Sequence, residues 1–160
     1  MSYMGVDIGQ TGCRAIIFDG QGRQLAQSYR EYPTLLPHEG WAELDSTVVK
    51  TSCFEVMGEA QSQCPGQAVQ GLGISCQGEA FTPIGAGGES LSNAMITFDT
   101  RAAAHMESFS REFGIERLYK LTGHTAHPMF SLFKLLWFKE HRRKEFDRAV
   151  KFLCFEDFLQ

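Results

Sequence analysis

The sequence has no extended basic run, no Gly-Lys-Ser or Gly-Lys-Thr, and no apolar run approaching the roughly 18 residues a membrane-spanning helix needs. Each absence narrows the function. With a formal net charge of −4 and no basic stretch, a general nucleic-acid or anionic-membrane binder is disfavoured. The amino terminus lacks the charged segment, apolar core and small-residue cleavage site of a secretory leader, so a cytoplasmic protein is expected. Five cysteines, at positions 13, 53, 64, 76 and 154, are odd in number and widely spaced. Neither a disulfide framework nor a zinc site follows, and reduced thiols are expected. What remains is 160 residues, 43% of them hydrophobic, enough for one globular domain with a real core.

The most informative stretch is Met4-Gly5-Val6-Asp7-Ile8-Gly9-Gln10-Thr11-Gly12-Cys13-Arg14-Ala15-Ile16-Ile17-Phe18-Asp19. An apolar run, a glycine-bounded turn and a second apolar run read as strand, tight turn, strand. Glycines at 9 and 12 are expected to adopt positive φ and to bring backbone amides close to an anionic ligand. Asp7, at the strand's end, suits a hydrated magnesium ion. The same residues also fit an ordinary hairpin. A strand rather than a helix follows the turn, so it is not a dinucleotide fingerprint.

Gln24 to Tyr32 alternates as a third strand, completing a meander. Pro33 to Trp41 reads as a loop, and Asp45 as the N-cap of a helix carrying Val49, Cys53, Val56 or Met57, and Ala60 at helical spacing. Strands are expected at Val69 to Ser75, Phe81 to Ile84, Ala94 to Thr97 and Val150 to Cys154, and helices at Arg101 to Phe113, Ile115 to Leu121 and Ser131 to Lys144. Gly85 to Gly88 reads as a hairpin turn, and Lys139 to Lys144 as the solvated end of a helix. The fold class is α/β with a mixed sheet. Phe155 to Gln160 reads like the opening turn of another helix, so the chain is expected to be cut mid-architecture.

Four segments together resemble the amino-terminal half of the FGGY carbohydrate kinases, of the actin-like ATPase superfamily. Gly5-Val6-Asp7-Ile8-Gly9-Gln10-Thr11-Gly12-Cys13-Arg14 is similar to that family's first phosphate motif, with Gln10 where a Thr or Ser is usual. Glu39-Gly40-Trp41-Ala42-Glu43-Leu44-Asp45 is similar to Gly-Trp-x-Glu-x-Asp; here Trp41 is read as packing and Asp45 as capping. Gly73-Ile74-Ser75-Cys76-Gln77-Gly78-Glu79 stands where the family presents side chains to the sugar. Glu79 matches the glycerol-kinase-like Gln-Arg-Glu, whereas Gly78 lacks its arginine and the xylulokinase-like Gln-Met-His-Gly is not matched either. Ala94-Met95-Ile96-Thr97-Phe98-Asp99-Thr100-Arg101-Ala102 is similar to Ala-Ile-x-Trp-x-Asp-x-Arg, with Thr97 at the tryptophan position. Leu121-Thr122-Gly123 and the Lys134-Leu135-Leu136-Trp137 segment add a structural match; His124 and His127, between them, lack a third metal ligand.

The resemblance implies an actin-like, ribonuclease H-like domain whose mixed central sheet is flanked by helices, and an ATP-dependent transfer of phosphoryl to a sugar or polyol hydroxyl. Asp7 would hold Mg2+ through water; Gly9, Gln10, Thr11, Gly12 and Arg14 would face the phosphates of ATP; Gln77, Gly78, Glu79 and Asp99 would hold the substrate. Asp99 also fits a helix cap. The family's catalytic aspartate, second phosphate motif and adenosine segment match nothing here, so residues 1–160 are expected to be an amino-terminal domain that lacks the carboxy-terminal actin-like domain and is inactive alone. The alternative is a non-catalytic sugar-binding or interaction module on the same half-fold. Nucleic-acid and membrane partners are not expected; a homo-oligomer stays open.

Overall fold

The computed structural model describes residues 1–160. β1 (Ser2–Ile8), β2 (Gly12–Asp19) and β3 (Gln24–Glu31) form the expected antiparallel meander. β5 (Val69–Cys76) adds parallel to the free side of β1, giving a mixed sheet of order β3-β2-β1-β5. A parallel neighbour requires a crossover, and α1 (Ser46–Ser62) supplies it. Its cap is the expected one: Asp45 Oδ1 accepts from the amides of Thr47 (2.9 Å) and Val48 (3.2 Å).

Strand periodicity decides which face α1 covers. Met4, Val6 and Ile8 of β1 join Cys13, Ala15 and Ile17 of β2 against Val49, Cys53, Val56 and Ala60 of the helix. The other residues of β1, Tyr3, Gly5 and Asp7, face away from α1. On this open side the sheet carries a shallow cavity of about 300 Å³ bounded by Asp7, Arg14, Phe18 and Ser75.

A second, smaller sheet stands beside the first. β4 (Glu43–Leu44), β7 (Ala94–Met95), β6 (Phe81–Ile84) and β8 (Lys151–Cys154) pair antiparallel in the order β4-β7-β6-β8. The strand expected to reach Thr97 stops at Met95. Helices α2 (Ala103–Phe113), α3 (Ile115–Thr122) and α4 (Ser131–His141) share a second core with this sheet, built on Phe81, Met95, Leu118, Phe133, Trp137 and Phe138. The helix expected over Ser131 to Lys144 is two. Arg142 leaves helical geometry (φ −127°, ψ 45°), and α5 (Arg143–Arg148) swings Phe146 onto Phe152 of β8, with ring centroids 5.3 Å apart. A short α6 (Phe155–Phe158) follows β8 and buries Phe155 in the first core. All five cysteines are free thiols, and no helix is long and apolar enough to cross a membrane.

Candidate functional site

Because β1 and β5 run parallel with Ile8 opposite Cys76, the turn after β1 and the segment after β5 leave the sheet at the same edge. That edge gathers most of the expected site residues.

The turn Gly9 to Gly12 is closed by Gly9 N–H donating to the Gly12 carbonyl at 2.9 Å. Tyr32 braces it, its hydroxyl donating to the carbonyls of Gly9 (2.7 Å) and Gly12 (3.0 Å), and Thr34 Oγ1 donates to the carbonyl of Gln10 at 3.3 Å. Burial pushes the Tyr32 phenol well above its ordinary pKa, so the hydroxyl stays a donor. The carbonyls are thus taken from within the chain, whereas the amides of Gln10 and Thr11 donate to no group of the protein. Two successive unpartnered N–H groups are free to donate to an anion.

The glycines are needed for a reason other than the expected one. Neither Gly9 nor Gly12 has positive φ. A Cβ on Gly12 would lie 2.6 Å from the Arg30 carbonyl oxygen and 2.7 Å from the Tyr29 hydroxyl, and one on Gly9 would lie 3.2 Å from the Gly12 carbonyl. The requirement is close approach of backbone and ring, not a left-handed turn.

Asp7 and Arg14 are cross-strand neighbours on the open face. Both are exposed; no hydrogen bond or ion pair engages the Asp7 carboxylate, and the Arg14 guanidinium lies 5.2 Å from the centre of the Tyr29 ring.

After β5 come Gln77, Gly78 and Glu79. The side-chain amide nitrogen and oxygen of Gln77 are both buried without a partner, an arrangement that costs free energy unless a ligand or water completes it. Nothing lies within 4 Å of where a Gly78 Cβ would stand, so the absent arginine leaves open space. Glu79 Oε2 accepts from the amide and hydroxyl of Ser131, at 2.5 and 2.8 Å, at the first turn of α4, where carboxylates are favoured by the helix dipole. Its other oxygen, Oε1, has no partner in the chain.

Asp99 does not stand in the cleft as expected. It is 1% exposed. Its carboxylate accepts from the Ala42 amide (2.8 Å), the Arg101 amide (3.0 Å) and, bidentate, the Arg101 guanidinium. Arg101 also pairs with Glu43 at 2.7 Å, and its guanidinium lies over the ring of Trp41 (3.7 Å) while Trp137, packed edge-on against Trp41, is 5.0 Å away. A carboxylate with every lone pair engaged has nothing left for a sugar hydroxyl. Its role is to hold Arg101, and through it the β4–β7 edge, in place.

Two features of this edge, one residue and one pairing, were not anticipated. Lys134, wholly buried, donates from Nζ to the carbonyls of Glu79 (2.6 Å) and Met95 (3.2 Å), tying the segment after β5 to the end of β7. Burial pushes its pKa down to about 8, against the opposing pull of Asp99 and Glu79. The signal was a lone lysine inside the apolar stretch Phe130 to Trp137. The second is a pairing: the Gln10 side-chain amide donates to Thr97 Oγ1, so the glycine turn touches the segment leading to Asp99.

The model of the FGGY family of carbohydrate kinases, N-terminal domain, matches residues 2–160. The chain belongs to that family. It is 33% identical over 143 residues to a glycerol kinase of Gloeobacter violaceus, covering 89% of this chain and 29% of that protein. A xylulose kinase of Staphylococcus xylosus is 26% identical over 161 residues, 99% of this chain and 33% of the relative. Among solved structures, the xylulose kinase from Rhodospirillum rubrum superposes with a TM-score of 0.95 at 21% identity, covering 99% of this chain and 33% of that one, which fixes the fold as that of these kinases. The chain spans about a third of the length of the relatives it matches.

Proposed function

We propose that this chain forms the phosphate-facing and hydroxyl-facing wall of an ATP-dependent sugar or polyol kinase. The observation that carries the reading is the shared edge: unpartnered amides of Gln10 and Thr11 and an unpaired Asp7 carboxylate at the end of β1, with the buried, unpartnered Gln77 amide and the free oxygen of Glu79 at the end of the parallel β5. Donors for phosphate oxygens and acceptors for hydroxyls stand side by side, as in-line transfer between the two requires.

In this reading the amides of Gln10 and Thr11, the Thr11 hydroxyl and the Arg14 guanidinium face the phosphate oxygens of ATP, with the close approach at Gly9 and Gly12 keeping the backbone tight against them. Asp7 has the free carboxylate a hydrated Mg2+ calls for, and the ion, when bound, neutralises charge on the phosphates. Glu79 accepts from a substrate hydroxyl through Oε1 while Ser131 fixes Oε2, and Gln77 supplies a second polar contact. No carboxylate of this edge is both free and placed by the resemblance to accept the hydroxyl proton, so binding without turnover is expected of the 160 residues alone.

The experiment is amide NMR on the chain with Mg-ADP and, separately, with glycerol, xylulose or gluconate, together with a coupled assay of ADP release. Shifts at Gly9 to Gly12 with nucleotide and at Gln77 to Glu79 with a polyol are expected. Shifts confined to other surfaces would remove the kinase-wall reading. Sugar-stimulated turnover of about 1 per second or more, within the usual enzyme range, would show that a base is present after all.

A further inference from the structure

A second constellation lies in the helical layer and shares no residue with the phosphate edge. Glu140 and His141 close α4, and His105 of α2 faces them: His105 Nε2 and Glu140 Oε2 are 2.9 Å apart. One ligand atom from each of the three residues lies within 4.8 Å of the others.

One ring is oriented as metal-binding imidazoles are, and the other has an uncommitted nitrogen. His141 Nδ1 sits 3.1 Å from the Trp137 carbonyl. A carbonyl only accepts, so the proton is on Nδ1 and Nε2 keeps its lone pair. A backbone carbonyl orienting the far nitrogen is the usual outer-shell support of a ligating histidine. The ring is fixed further by stacking flat on Trp137, with centroids 4.8 Å apart and an interplanar angle of 5°. In His105, Nδ1 is buried and has no partner, so the chain leaves this imidazole with unused capacity at a nitrogen. Glu140 is 69% exposed, so its carboxylate is open to an ion from solvent.

We propose that His105, Glu140 and His141 bind a divalent transition-metal ion of the zinc, nickel or copper class, pinning α2 to the last turn of α4. Two imidazoles with one carboxylate suit these borderline ions, whereas magnesium and calcium take all-oxygen shells. The negative end of the α4 dipole adds to the attraction. Lys139 and Arg143 line a surface cavity with His105 and Glu140 and oppose the ion; Arg143 is committed to Asp147 at 2.8 Å, and Glu112 brings a further carboxylate to the cavity wall. Through Trp137 the ion would stiffen one side of the Arg101 stack.

The test uses the untagged 160-residue chain, stripped with a chelator and titrated with Ni2+ or Zn2+ by calorimetry and with Cu2+ by tryptophan emission. One ion per chain, reversal by chelator, a raised melting temperature and quenching by Cu2+ are expected, because Trp137 lies against a ligand. His105→Gln and His141→Gln should each weaken binding at least as much as the about 10- to 100-fold that outer-shell changes cost. Glu140→Ala alters an exposed side chain and folds regardless, so it should weaken binding even if the histidine variants are too unstable to measure. Affinity unchanged in Glu140→Ala would place the ion elsewhere, at the half-exposed thiols for example, and overturn the proposal. So would the absence of saturable binding up to about 1 mM metal.

Discussion

The side-chain amide of Gln10 donates to the hydroxyl of Thr97, 87 residues away in sequence. Both stand at positions where this chain departs from the residue its family usually carries, so two substitutions that look independent in sequence meet in space. The contact joins the turn after β1 to the segment after β7, and therefore the phosphate edge to the Arg101 network.

The pair should be coupled. A partly buried neutral hydrogen bond contributes about 0.5–1.5 kcal/mol net, so Thr97→Val and Gln10→Ala, measured singly and together by urea denaturation, should leave an interaction energy in that range. Strict additivity of the two changes would mean that the contact has no energetic role.

Two glycines at the same edge should respond oppositely to alanine. At Gly12 the added methyl meets the Arg30 carbonyl oxygen at 2.6 Å, and overpacking of this kind costs about 1–3 kcal/mol. At Gly78 the space is open and φ is not positive, so Gly78→Ala should be neutral or stabilising by about 0.4–1 kcal/mol through the unfolded chain. Thermal unfolding of the two variants separates them. A stable Gly12→Ala chain would show that the turn has slack to open.

The Arg101 stack should discriminate shape from charge. Arg101→Lys keeps the cation but cannot span the two Asp99 oxygens or stack on the Trp41 ring. Removing a partner instead, in Asp99→Ala, leaves a buried guanidinium with only Glu43 and should cost about 3–5 kcal/mol. Both losses are readable as melting temperatures. If Arg101→Lys is as stable as the wild type, the planar geometry contributes nothing beyond its charge.

How far these features could be read from sequence follows from their range along the chain. The meander, α1 and its Asp45 cap are local, and periodicity with one capping residue was enough to place them. Three strands of the second sheet, β6, β7 and β8, were also legible, but β4 and the division into two sheets were not, because β4 is two residues long and pairs with β7 some 50 residues away. Arg142 carries no breaker signal, yet the helix stops there so that Phe146 can reach Phe152. At the candidate site, residue identity singled out the glycine turn and Glu79, and the parallel pairing of β1 with β5 brings them to one edge. The burial of Asp99 did not show, because it depends on Arg101, Ala42 and two tryptophans brought from three segments. The reason for Gly12 likewise lies in β3, where Tyr29 and Arg30 crowd it.

Lys134 should make stability pH-dependent. Its folded pKa, about 8, lies below the ordinary 10.5, so between those values the unfolded chain binds more protons than the folded one. Stability from this group therefore rises with pH across that window, and is lowest where Lys134 is charged in both states. A shift of that size corresponds to a change on the order of 3 kcal/mol. The comparison is the difference in unfolding free energy between wild type and Lys134→Met at pH 7 and pH 10, which should change in favour of the wild type at the higher pH. Tyr32 loses stability at alkaline pH in both proteins and cancels in the difference. A difference that does not vary with pH would mean that the ammonium is solvated in the folded chain.

Asp7 carries the sharpest test of the proposed chemistry. Its carboxylate is exposed and engaged by no hydrogen bond or ion pair, on the open face beside Arg14, so Asp7→Asn removes a charge without breaking any contact. Stability should change by no more than about 0.5 kcal/mol, as at other exposed positions. Binding of ADP in chelator should also be retained, since the amides of Gln10 and Thr11 are untouched. What should disappear is the gain in affinity on adding Mg2+, because in the proposed reading the ion meets the protein through that carboxylate. In an active kinase carrying this segment the same change should lower turnover about 10²–10³-fold, the usual worth of a group acting electrostatically on the reacting phosphate, with sugar KM little altered. Titrating wild type and variant with ADP, with and without Mg2+, decides between the accounts. If the folded variant keeps the whole magnesium-dependent gain, Asp7 is only an exposed residue near the end of a strand.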